Sequence, residues 1–297
     1  MAQNYSLAKV VIEHKKLING FEYIEIKNTS ATAKIALQGA HIFEYKRHYG
    51  NPVLWLSESS DFEHMKSIRG GIPVCWPWFG TPRALPSGRM PKDESLPQHG
   101  FARTAMWKLK NTNETDANST EVTFSLSHTP ESLKLWPHRF ELELHVIVSD
   151  TLTVELKTTN LDDKAFLITQ ALHTYFDISH ISHVRVKGLD KKPYFDALSM
   201  KEKIQDGDII FNREIDRVYQ DVYGKILLID KNRTIKIQNE GSSSVVVWNP
   251  WVDKCKRMSA MKPSSYEGMV CIESANAFDD ARIIKPNESH TLKAMIN

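Results

Sequence analysis

The chain has 297 residues, with 38 basic against 36 acidic side chains for a formal net charge of +2, and 41% of its residues are hydrophobic. That length and apolar content allow a sizeable buried core, in one large domain or two ordinary ones, and exclude global disorder. The balanced charge gives no reason to expect a nucleic-acid or membrane-surface partner, although a small anion held by a few arginines would leave no mark on the total.

Residues 1–20 carry charges at Lys9, Glu13, His14, Lys15 and Lys16 and lack the apolar core and cleavage site of a signal peptide. No apolar run approaches the ~20 residues needed to span a bilayer. Cys75, Cys255 and Cys271 are odd in number and lack CxxC spacing, so they are expected to be reduced thiols of a cytoplasmic protein.

Period-two alternation dominates the chain and predicts strands over residues 21–27 and 33–37. An irregular, aromatic-rich stretch follows at 69–80, and then a long loop-like stretch at 82–97. It leads into Gln98-His99-Gly100-Phe101-Ala102-Arg103, which packs an amide, an imidazole and a guanidinium into six residues. This segment reads as a ligand-gripping loop or, more plainly, as a surface turn. Strands are predicted at 122–126, 140–148 and 151–158, the last two joined through Ser149-Asp150 as the clearest hairpin. Further strands are predicted at 184–186, 225–230, 234–238 and 244–248, with Asn239-Glu240-Gly241 turning a second hairpin. Helical spacing is confined to 130–135 and 276–281. No linker or internal repeat divides the chain, and the pattern predicts one large antiparallel β domain, a sandwich or open barrel.

Several catalytic signatures are missing. Gly70-Gly71 is not followed by the Lys-Ser/Thr of a phosphate loop, and no dinucleotide fingerprint or nucleophile elbow occurs. No Cys–His combination has zinc spacing. His180 and His183 are three apart, an offset that on a strand would put them on opposite faces. What remains is a set of scattered acid–base groups. His173 sits in the apolar run Ala171-Leu172-His173-Thr174-Tyr175-Phe176, where it is either a core histidine or a proton-transfer group titrating near neutrality. Glu273 ends the run Met269-Val270-Cys271-Ile272, and it either reaches solvent at a strand end or is buried for a purpose. Glu214-Ile215-Asp216-Arg217-Val218-Tyr219 reads most simply as a solvated turn with a local ion pair.

In this order, the segments Arg69-Gly70-Gly71-Ile72-Pro73, Trp76-Pro77, Phe79-Gly80, Gln98 to Arg103, Ala171 to Phe176, Asp216 to Tyr219, Trp248-Asn249-Pro250 and Cys271-Ile272-Glu273 resemble the aldose 1-epimerase (mutarotase) family. They are most similar to its hexose-6-phosphate mutarotase, or glucose-6-phosphate 1-epimerase, branch. The resemblance implies a mainly all-β chain, residues 1–297 forming a single large antiparallel β-sandwich of the galactose-mutarotase (supersandwich) type with few short helices. It implies a cytoplasmic, monomeric isomerase that interconverts the α and β anomers of a hexose 6-phosphate without cofactor or metal. His173 falls at the position of the family's general acid and Glu273 at that of its general base. Arg69, Gln98, His99, Arg103 and Asp216 fall at sugar- or phosphate-binding positions. Arg69 and Arg103 suit a phosphate, since each planar fork makes two charge-assisted hydrogen bonds, though either could instead be a structural partner of Asp216. Two other readings stay open: an epimerase of unphosphorylated aldoses such as galactose, and a non-catalytic sugar-phosphate-binding protein on the same scaffold.

Overall fold

A computed structural model describes residues 10–81 and 96–297. Most of the stretch 82–97 thus lies outside the described residues. Two large sheets dominate. The nine-stranded sheet runs, in spatial order, Ile209–Ile210, Arg185–Lys187, Ile226–Asp230, Arg233–Glu240, Ser289–Ile296, Leu152–Asn160, Phe140–Val148, Ser119–Ser127 and Lys108–Asp116. The eight-stranded sheet runs Lys201–Ile204, Pro193–Asp196, Ile215–Tyr219, Ser244–Asn249, Met269–Asn276, Gln170–Leu172 and Val74–Cys75, with Tyr175–Asp177 also paired to Met269–Asn276. Neighbouring strands are antiparallel in both. A four-stranded antiparallel sheet, Val11–Lys16 to Ile42–Arg47, adds a further layer.

Alternation decides what each face of the eight-stranded sheet does. Val245, Val247, Val270 and Ile272 point into a continuous apolar core shared with Phe124, Leu142, Leu144, Val154 and Leu156 of the nine-stranded sheet. Their neighbours Val246, Val218 and Ala171 belong to a separate cluster on the opposite face, and Tyr175, Trp248, Met269 and Cys271 to another. That second face carries the site.

The hairpin Phe140–Val148 to Leu152–Asn160 forms as its alternation predicts, with Val148 opposite Leu152. The second predicted hairpin does not form. Arg233–Glu240 pairs within the nine-stranded sheet and Ser244–Asn249 within the eight-stranded one, so the connection at Gly241 crosses from sheet to sheet. Gly241 has φ 70°, and a Cβ there would lie 1.9 Å from the Thr291 carbonyl oxygen. The glycine is needed for a tight crossover, a use that looks like a hairpin turn in sequence.

The helix at Pro130–Leu135 is capped by Thr129, whose side chain accepts from the Ser132 N–H at 3.1 Å, with proline at the first helical position. At 276–281 the helical element is short and 3₁₀. The strand Met269–Asn276 ends there and a single 3₁₀ turn, Phe278–Asp280, follows. A helix not foreseen, Trp251–Arg257, starts where Asn249 Oδ1 accepts the Trp251 N–H at 2.9 Å. His180 and His183 lie at a 3₁₀ turn and not on a strand, with ring centroids 5.8 Å apart.

Candidate active site

A cleft of about 840 Å³ opens on the second face of the eight-stranded sheet. Arg69, Gln98, His99, Arg103, His173, Asp216 and Glu273 all line it. The fold therefore brings together all seven residues that the resemblance placed at catalytic or binding positions, from segments spread over two hundred positions.

The segment 98–103 is shaped by its backbone. His99 has φ 63° and Gly100 φ 71°. The Trp76 carbonyl accepts from both Phe101 N–H, at 3.0 Å, and Ala102 N–H, at 3.3 Å. A Cβ on Gly100 would lie 1.9 Å from that oxygen, so the close approach requires glycine. His99 is tied to Gly80 twice: its N–H donates to the Gly80 carbonyl at 2.7 Å, and the Gly80 N–H donates to its Nδ1 at 3.1 Å. With Nδ1 accepting, the ring proton is assigned to Nε2. Burial, with Arg103, His173 and Arg69 adding to it, holds this imidazole neutral. Arg103 Nη2 donates to the Gln98 carbonyl at 2.6 Å, while the Gln98 side chain is exposed.

Glu273 lies within Met269–Asn276, opposite Val246, and not at a solvent-facing strand end. It is 1% exposed and His173 8%. His173 is held by its N–H donating to the Pro73 carbonyl at 3.0 Å. Its ring stacks on Tyr175 at 4.8 Å and 9°, meets the edge of Trp248 at 6.0 Å and lies 5.6 Å from the His99 ring. His173 Nε2 approaches Glu273 Oε1 to 3.4 Å. The other polar atom of each, His173 Nδ1 and Glu273 Oε2, is buried with no hydrogen-bond partner among the described residues.

That distance alone would describe an ion pair. Burial argues for the uncharged forms: it pushes His173 down to about 3, helped by the nearby Arg103 and Arg69, and pushes Glu273 well above the usual carboxylate range, helped by Asp216. The pair is best treated as one unit holding one proton. As the site stands, that proton rests on Glu273, because desolvation disfavours separated charge and two guanidinium groups disfavour an imidazolium.

The cations and carboxylates of the rim are arranged differently from either sequence expectation. Asp216 is on the strand Ile215–Tyr219, not in a turn, and its partner is Lys254 at 3.6 Å, not an arginine. Burial raises the Asp216 carboxyl, Lys254 opposes that rise, and Glu214 adds to it. Lys254 comes from the unforeseen helix, also meets Glu214 at 3.0 Å, and lies 5.7 Å from the centre of the Trp248 ring. Arg69 donates to the Tyr175 hydroxyl at 3.3 Å and leaves its buried Nε unpaired among the described residues. Neither arginine is paired with Asp216, so that structural alternative falls away.

A family model described as aldose 1-epimerase matches residues 22–296. The chain belongs to the aldose 1-epimerase family. Among curated relatives of this epimerase is a protein of Cenchrus ciliaris named "Putative glucose-6-phosphate 1-epimerase", 37% identical over 92% of this chain and 83% of its own length. Among solved structures is that of a "putative mutarotase" from Salmonella typhimurium, with a TM-score of 0.87 and 33% identity over 96% of this chain and 92% of that one. The galactose 1-epimerase of Lactobacillus acidophilus NCFM superposes with a TM-score of 0.74 at 11% identity, over 97% of this chain and 98% of that one, and so shares the fold. The epimerase is thus a largely antiparallel β protein of the galactose-mutarotase type. Tyr175, Trp248 and Lys254 of its cleft had no assigned role in the sequence. The first two stood in quoted segments as aromatic neighbours, while Lys254 carried no signal before the helix was seen.

Proposed function

We propose that this epimerase acts on a hexose 6-phosphate, with glucose 6-phosphate the first candidate, and exchanges its anomers by ring opening and closing. The observation that carries this reading is that Arg69 and Arg103 line the same cleft as the buried His173–Glu273 pair. The two guanidinium groups suit a dianion and the buried pair suits a proton relay. The relatives' names point the same way.

Opening the ring requires a proton to leave the anomeric hydroxyl and another to reach the ring oxygen. Glu273, as carboxylate, takes the first, and His173, as imidazolium, gives the second. After rotation about C1–C2 the two exchange roles. This needs the pair's proton on His173, the opposite of its resting position. A phosphate dianion between Arg69 and Arg103 favours the change, because it cancels the positive potential that adds to burial in holding His173 down. Binding energy at the remote phosphate is thereby converted into the reactive protonation state. His99 presents its Nε2–H to the sugar, and Asp216, beside Lys254, and Gln98 accept or donate to hydroxyls. Trp248 and Tyr175 offer apolar faces for the ring's C–H patches.

The reading extends to the whole chain. The apolar core running from Ile24 to Ile296 supports one domain over residues 1–297. Three free, buried cysteines support a reducing, cytoplasmic setting.

NMR exchange spectroscopy tests this directly. Anomer exchange of glucose 6-phosphate is expected to be accelerated strongly and that of galactose weakly. His173→Asn and Glu273→Gln should each lower the rate by about 10²–10⁴-fold, the usual worth of one acid or base, and the double variant should be little worse than either single one. Faster exchange of galactose than of glucose 6-phosphate would reject the phosphate reading. Near-normal exchange in a single variant would reject that residue's role.

A further inference from the structure

One side chain on the cleft face of Met269–Asn276 has no part in the proton transfers. Cys271 precedes Glu273 by two residues and so shares its side of the strand. It is a free thiol, buried against Tyr175, Trp248 and Met269. His173 Nε2 or Nδ1, the Cys271 sulfur and a carboxylate oxygen of Glu273 all lie within 4.8 Å of one another. Linear spacing conceals the group, since the histidine comes from a segment nearly a hundred positions upstream.

A second observation points to a ligand here. Glu273 Oε2 and His173 Nδ1 are buried without partners among the described residues, so each residue of the acid–base pair has unused donor or acceptor capacity aimed at no protein group. A tetrahedral zinc with bonds of about 2.0–2.3 Å holds its ligand atoms roughly 3.3–3.8 Å apart. Closing this set requires movements on the order of 1 Å, within the reach of side-chain rotation. His173 and Glu273 line the cleft, so a fourth ligand would be water drawn from it. One imidazole, one thiolate and one carboxylate is a donor set for zinc or cadmium. Magnesium and calcium prefer oxygen alone.

We propose that His173, Cys271 and Glu273 form a binding site for a borderline or soft divalent cation such as Zn²⁺ or Cd²⁺, and that its occupation shuts off anomer exchange. The inhibitory half rests on the reading of His173 and Glu273 as the acid–base pair. As the metal–sulfur and metal–oxygen bonds form, the protons of the Cys271 thiol and the Glu273 carboxyl leave for solvent. The imidazole binds through a neutral nitrogen lone pair, and nothing is oxidised or reduced. The lone pairs the cation takes are those the reaction uses, so the cation excludes catalysis and does not assist it.

The test titrates Cd²⁺ into the full chain in chelator-free buffer and reads the thiolate-to-cadmium charge-transfer absorption. One equivalent is expected for the wild type. The band should vanish in Cys271→Ser and Cys271→Ala and persist in Cys255→Ser, whose cysteine lies on the helix Trp251–Arg257. Two replacements at position 271 guard against one failing to fold, which circular dichroism checks. Zinc inhibition, measured for each variant against its own metal-free rate, should weaken by at least about tenfold in the position-271 variants, the lower end of what loss of even an outer-shell partner costs in metal affinity. No band in the wild type, or one that survives in both position-271 variants, overturns the proposal. A Cys271-dependent band with exchange indifferent to zinc keeps the metal site and overturns the catalytic reading of His173 and Glu273.

Discussion

At the scale of single residues, the site is defined by groups held in unfavourable surroundings. Glu273 shows this most clearly. Its carboxyl is raised well above the usual range, so between its ordinary value and that raised value the folded state holds a proton the unfolded state has lost. Stability therefore falls as pH rises through that window. Glu273→Gln removes the titration while keeping the shape. Its denaturation midpoint should exceed the wild type's at pH 8, and the gap should widen from pH 5 upward by as much as about 1.4 kcal/mol per pH unit. An unchanging gap would show that Glu273 is not held protonated. The variant would be more stable and inactive, the expected trade for a group kept for chemistry. Arg103 belongs to the same scale. Arg103→Ala should raise KM for glucose 6-phosphate by about 10–100-fold, the worth of a hydrogen bond to a charged group, while exchange of free glucose changes little. Equal losses on the two sugars would show that Arg103 does not read the phosphate.

At the scale of elements, Gly100 joins the segment 98–103 to Trp76. Its Cβ position is occupied by backbone, and its φ is positive. Gly100→Ala should cost about 2–4 kcal/mol from strain and overlap combined, seen as a lowered denaturation midpoint, and should displace His99 enough to depress exchange in whatever fraction folds. The elements also show how far sequence could be read. Strands with one face buried, such as Phe140–Val148 and Leu152–Asn160, declare themselves by alternation. Ile215–Tyr219 and Met269–Asn276 do not, because both of their faces are needed, one for the core and one for a polar cleft. Asp216 among apolar neighbours then resembles a turn, and Glu273 resembles a strand end. The crossover at Gly241 was misread because a glycine turn between two alternating segments looks the same whether the strands pair or part. Of the site, the residues' own chemistry left His173 undecided between core and catalysis, and the order of the motifs along the chain supplied what the chemistry could not. Lys254 and the part Cys271 shares with the catalytic pair depend on tertiary geometry, and no local pattern announces them.

At the scale of the whole molecule, the site is a product of topology. His173 follows one short strand, Glu273 lies in the middle of another, and the arginines come from segments before the nine-residue strand Lys108–Asp116. The pair sits on the eight-stranded sheet, whose other face packs on the nine-stranded one, so activity is expected to require both large sheets. Refolding from denaturant should be slow, on the order of milliseconds to seconds or longer, as for other folds built on distant strand pairing. Recovery of anomer exchange should coincide with the last phase seen by tryptophan fluorescence. Exchange returning before that phase would mean the cleft assembles without the complete sandwich. The double tie between Gly80 and His99 has a consequence of another kind. Because both hydrogen bonds run to the Gly80 backbone, where φ is 78°, a residue with a side chain at position 80 is expected to misplace His99 while leaving His173 and Glu273 where they are.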